Sequence, residues 1–112
     1  LSSAPGKQGF LDAAGVNSLR KEQGFQSAAT LLDPQGTVGR AYAARTTPHM
    51  FVIDPKGTVI YMGAIDSNSS ANPADIKGAR NHVRAALEEA MAGKAVSIPS
   101  SQPYGCSVKY PD

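Results

Sequence analysis

A chain of 112 residues, 41% hydrophobic and 18% charged, has room for one modest globular domain and is too apolar for a disordered tail. Its formal charge of +2 has no basic run behind it: Arg20-Lys21 is the only adjacent basic pair, and Glu22 follows it. Nucleic acid and anionic membrane are therefore poor partners, and the apolar runs at 50–53 and 59–62 are far too short to cross a bilayer.

The opening Leu1-Ser2-Ser3-Ala4-Pro5-Gly6 has neither an initiator Met nor a signal-peptide pattern, and reads as the start of a processed product or an excised piece. Residues 1–9, rich in Ser, Gly and Pro, read as a loop. From Asp12 to Gln23 the pattern is weakly helical, with Gly24 as a natural stop. Residues 28–32 form a short uncharged apolar run that predicts a buried strand, ended by the turn Asp33-Pro34-Gln35-Gly36. Residues 37–44 place Val38, Ala41 and Tyr42 on one helical face, enough for two turns.

The clearest signal lies at 49–62. His49-Met50-Phe51-Val52-Ile53 and Thr58-Val59-Ile60-Tyr61-Met62 are β-rich and flank Asp54-Pro55-Lys56-Gly57. Asp first, Pro second and Gly fourth are what a type I turn prefers, so an antiparallel hairpin is predicted. After a polar loop at 64–72, Asn72-Pro73-Ala74-Asp75 has the chemistry of a helix start. A closing helix is predicted from there to about Ala92, with Ile76, Ala79, Val83, Ala86, Leu87, Ala90 and Met91 on its apolar stripe and His82 beside it. The tail from Lys94 is Pro- and Ser-rich. Cys106, Val108 and Tyr110 alternate with polar residues near its end, which suits a short last strand.

Three series in fixed order carry a family resemblance: residues 33–42 (Asp-Pro-Gln-Gly through Tyr42), residues 46–57 (Thr46-Thr47-Pro48 through Gly57), and the closing helix. They resemble the C-terminal part of redoxins, the thioredoxin-like group that includes alkyl hydroperoxide reductase and thiol-specific antioxidant proteins. The opening stretch 2–9 and the ending Pro103-Tyr104-Gly105-Cys106-Ser107-Val108-Lys109-Tyr110 are similar to one bacterial branch of that group. The resemblance implies an α/β, thioredoxin-like fold that is incomplete: residues 1–93 form a partial domain with an antiparallel hairpin and closing helix, and 94–112 an extended tail. It implies thiol–disulfide or peroxide oxidoreductase chemistry in a parent protein, with a protein or small-molecule disulfide or peroxide as substrate. The alternative is a non-catalytic thioredoxin-like binding module. Export to the periplasm is common in this branch and follows from resemblance only.

The family's nucleophilic cysteine motif has no counterpart here, so whether the chain is itself an enzyme stays open. In the family, the pair matching Thr47-Pro48 has a cis peptide bond and the loop walls the substrate side of the redox site. On the residues alone, Pro48 could simply start the strand, where its missing N–H is tolerated. Cys106, the single cysteine, is the one candidate nucleophile. The resemblance implies a resolving or partner cysteine, whereas the plain reading is an inert, partly buried tail thiol; Lys109 could help lower its pKa if the tail turns back. Arg45, just before the proline loop, matches loosely the arginine that peroxide-reducing relatives set near their cysteine. Asp33 and Asp54 are more economical as turn acceptors than as bases. His49 and His82, without paired ligand spacing, make a poor metal site, and no cofactor is expected. An incomplete fold would leave a strand edge and an apolar face open, from which homo-oligomerisation is expected.

Overall fold

The structure, a computed structural model, describes residues 3–112. These form two compact units, the first made of residues up to Ala44 together with Val108–Asp112, the second of Arg45–Ser107.

In the first unit, helix α1 (Ala13–Gln23) starts where Asp12 accepts the Gly15 N–H at 2.8 Å and stops at Gly24, whose left-handed conformation closes the last turn. It buries Val16. Helix α2 spans only Thr37–Ala41. Asp33 caps it, accepting from the Val38 and Gly39 amides at 3.2 and 2.8 Å, so this acid is a turn and cap acceptor. The chain end packs back on this unit. Lys109 accepts the Ala4 N–H, Tyr110 donates to the Ala44 carbonyl at 2.6 Å, and the Arg40 guanidinium lies 4.5 Å over the Tyr110 ring.

Residues 28–32 are not the buried strand that their composition predicts. They have no strand assignment, and Leu31 is 76% exposed. A strand needs a ladder partner for its backbone groups, and the first unit contains no strand among the described residues. The helix predicted over 37–44 likewise shortens to five residues, and its expected inner residues Val38 and Tyr42 remain exposed.

The second unit is built on the expected hairpin. Strand β1 (Thr46–Thr47) precedes β2 (Met50–Ile53), which pairs antiparallel with β3 (Val59–Gly63). In the turn, Gly57 N–H donates to the Asp54 carbonyl at 2.9 Å, and the Asp54 carboxylate accepts from Lys56 and Thr58 N–H at 3.0 and 2.9 Å. Asp54→Ala removes both carboxylate bonds from an exposed turn and should cost about 1–2 kcal/mol in chemical denaturation. Beyond β3, residues 99–101 run alongside it in parallel: Met62 N–H donates to Pro99, and Ser101 N–H donates to Met62, both at 3.1 Å. Strand β4 (Cys106–Ser107) turns back onto β1.

Helix α3 (His82–Met91) covers one face of the hairpin, and the core is Val52, Tyr61 and Ala86, with Met50, Ile60, Val83 and Val96 around it. The predicted closing helix is thus half its expected length. Asn72 caps only a single 3₁₀ turn, Pro73–Asp75, and α3 has its own cap, Asn81, which accepts the Arg84 N–H at 2.8 Å. The break has a physical cause in residues 65–67. His82 N–H donates to the Ile65 carbonyl, Ser67 N–H to the Arg80 carbonyl, and Arg80 N–H to Ser67 Oγ. These bonds take the backbone groups that a continuous helix would need, and Gly78 lowers helix propensity between the two caps. Ile76, predicted on the apolar stripe, is accordingly 67% exposed.

Candidate functional site

The second unit brings the proline loop and the tail cysteine together. Strands β1 and β4 pair antiparallel, with Thr47 opposite Cys106 and Thr46 opposite Ser107. The Thr47-Pro48 peptide bond is cis. Thr46 Oγ1 donates to the Pro48 carbonyl at 2.7 Å, closing the loop on itself. Thr47, Pro48 and Cys106 are all exposed, and Cys106 is a free thiol. Cys106 is therefore not a partly buried tail thiol: it stands at the surface beside the proline.

The approach of the tail depends on Gly105. Its φ is +133°, and a Cβ there would overlap the Thr47 carbonyl oxygen and lie 2.8 Å from its carbon. Glycine is thus required for the cysteine to lie flat on the loop. Nearby, Tyr104 donates its hydroxyl to Asp66 Oδ1. That bond, then burial, then the Asp66 charge push the phenol up to about 12 from 10.0. Because the folded state favours the neutral phenol, this contribution to stability is complete below pH 10 and is lost as pH rises through about 12. A spectrophotometric titration of wild type against Asp66→Ala should show a tyrosine that ionises at about 12 in the wild type and returns toward the ordinary range in the variant.

Arg45 is exposed at the start of the same loop. Its backbone N–H donates to His49 Nδ1 at 3.1 Å, and His49 stacks on Phe51 with ring centroids 4.6 Å apart. Burial first, and the Arg45 charge second, hold the His49 imidazole below its ordinary pKa. A neutral Nδ1 is what the bond from Arg45 requires. His49 is thus a loop-fixing acceptor, a role the sequence reading left unassigned. His82 lies elsewhere, buried beneath the Tyr61 ring at 5.9 Å between centroids. The two histidines do not share a site, and no metal-binding group of His, Cys, Asp or Glu occurs among the described residues.

Thr46 and Gly105 were not singled out from the sequence. A glycine directly before the tail cysteine, in a stretch that alternates like a strand, was the available signal for the second.

Site and fold define a small mixed α/β chain with helices and two small antiparallel sheets, carrying an exposed thiol on a cis-proline loop. No family model and no curated protein matches it. Among solved structures it is similar to a hypothetical protein from Sinorhizobium meliloti, with 30% identity and a TM-score of 0.71 over 88% of this chain and 52% of that one. The chain thus spans about half the length of that protein.

Proposed function

We propose that the chain is the C-terminal part of a redoxin, a thiol–disulfide or peroxide oxidoreductase of thioredoxin-like fold, to which it contributes the proline loop and the tail cysteine. One observation carries this reading: the single cysteine of the chain is paired, residue to residue, with the threonine of the cis Thr47-Pro48 bond. The similarity to a protein nearly twice as long is compatible with a parent that supplies a further segment.

In such a parent Cys106 suits the resolving thiol. Its thiolate attacks the sulfur of a sulfenic acid or mixed disulfide on an upstream cysteine; an S–S bond forms and hydroxide or the second thiolate leaves. Each thiol gives up one electron, so the peroxide or disulfide substrate is reduced as the protein disulfide forms. In this reading Arg45, exposed just before the loop, supplies a positive charge for an anionic group.

The test compares this chain with the longer gene product. The chain alone should reduce insulin disulfides and peroxide at near-background rates. The longer product should turn over, should depend on an upstream cysteine, and should form a disulfide to Cys106 that Cys106→Ser abolishes. Robust activity of the chain alone, lost in Cys106→Ser, would contradict the assignment of the nucleophile to another segment.

A second reading is a non-catalytic thioredoxin-like module that holds an extended partner strand. The short β1 edge favours it, because Thr46–Thr47 already accept an extended segment through backbone pairing. It would be preferred if the longer product bound peptides but had no turnover.

A further inference from the structure

We infer that helix α3 is a homodimer interface, and that it pairs antiparallel with α3 of a second copy of this chain across a two-fold axis near Leu87. The inference uses none of the redox chemistry; it requires only that the further segment of the proposed parent leaves α3 uncovered.

The second unit has an apolar groove of about 260 Å³ whose lining includes Val83, Leu87 and Met91, with Arg84 and Glu88 along it. Leu87 and Met91 are 44% and 85% exposed, so α3 presents an apolar stripe outward as well as the Ala86 face that it buries. Val83, Leu87 and Met91 recur every fourth residue and form one ridge. Arg84 and Glu88 form the adjacent ridge, also at i, i+4. Among the described residues neither has an ion-pair partner. Their order, cation before anion, is the weaker one for pairing within a helix.

A second copy resolves both features. When two α3 helices lie antiparallel about Leu87, Leu87 meets its own copy and Val83 meets the partner copy's Met91 position. Arg84 then comes within reach of the Glu88 position of the other copy, and the same pair repeats by symmetry. A parallel arrangement would set Arg84 against Arg84 and Glu88 against Glu88. Charge pattern and apolar ridge therefore select the same self-complementary, closed arrangement. Groove, ridge and charges all belong to one compact unit.

Sedimentation equilibrium or light scattering across concentration tests this with the chain as it is. The wild type should dimerise, more weakly as salt is raised. Arg84→Glu sets two acidic residues against each other across the axis, and Glu88→Arg two basic ones. Each variant alone should dissociate the dimer by about tenfold or more. Both positions are exposed, and each change puts a charge where the helix dipole favours it, so circular dichroism should remain helical. Mixing the two variants makes every cross-axis pair opposite in sign, and a heterodimer should form from two monomeric species. A wild type that stays monomeric at high concentration, leaving the groove to another protein or segment, would overturn the inference. So would aggregation without a defined size, a dimer indifferent to both reversals, or a mixture that fails to pair.

Discussion

Replacing Tyr61 by alanine should cost the Arg45–Ser107 unit a large share of its stability, about 3–5 kcal/mol for the ring alone. Tyr61 has no exposed surface and sits between Val52 and Ala86 at the centre of the core. Its hydroxyl donates to the Ala64 carbonyl at 2.5 Å and lies 2.6 Å from Ser101 Oγ, which in turn accepts the Ala64 N–H at 3.0 Å. The aromatic ring therefore fills the space under α3, and its oxygen fixes the residues 99–101 alongside β3. Truncation to alanine removes the ring, at about 3–5 kcal/mol, and leaves polar partners at Ala64 and Ser101 without their bonds. For a domain whose whole stability is on the order of 5–15 kcal/mol, that is a large share. Tyr61→Phe separates the two contributions: it keeps the ring, loses the bonds, and should cost about 1–3 kcal/mol. Denaturant unfolding followed by circular dichroism reads both. Near-equal destabilisation by Phe and Ala would show that the ring is not the main term.

Gly105→Ala should act on the tail rather than the core. An added Cβ has no room against the Thr47 carbonyl, and the positive φ is costly for any other residue. The β1–β4 ladder has two residues on each strand and is exposed, so the tail can relieve the clash by leaving. The loss of stability is therefore capped by what docking contributes, about 1–3 kcal/mol. Amide exchange should speed up at Thr46, Thr47, Cys106 and Ser107, with little change in the core around Tyr61. Unchanged exchange in the ladder would mean that the tail does not rest on the loop through Gly105.

The parts of the fold that were legible in the sequence are those whose cause is local. The Asp54-Pro55-Lys56-Gly57 turn is closed by its own residues, and the hairpin follows from it. Asp12 and Gly24 likewise mark both ends of α1 within a few residues of the helix itself. Where the cause is distant, the reading failed. The helix start at Asn72 is sound chemistry, and Asn72 does cap a turn, but Ile65 and Ser67 divert the backbone bonds that would have carried the helix through His82. Residues 28–32 have strand composition without a strand to pair with. The site was half legible. The proline loop and the tail cysteine were each singled out, but their juxtaposition depends on the steric opening at Gly105 and on ladder register, and neither has a signature at either residue alone. The role of His49 was hidden for the same reason, since its acceptor depends on how the loop folds back on Arg45.

Whether the chain is catalyst or binding module, its site depends on Cys106 lying directly opposite Thr47. Cross-strand neighbours on one face have Cβ atoms roughly 4.5–5.5 Å apart, close enough for a disulfide with slight adjustment. The decisive measurement is cross-linking of Thr47→Cys under mild oxidation, read by denaturing mass spectrometry as loss of free thiol without a disulfide-linked dimer. The new thiol should close an intramolecular disulfide with Cys106, whereas Thr46→Cys, whose side chain points to the other face, should not. Failure of Thr47→Cys to cross-link, or equal cross-linking from both positions, would contradict the placement of the cysteine on the proline loop.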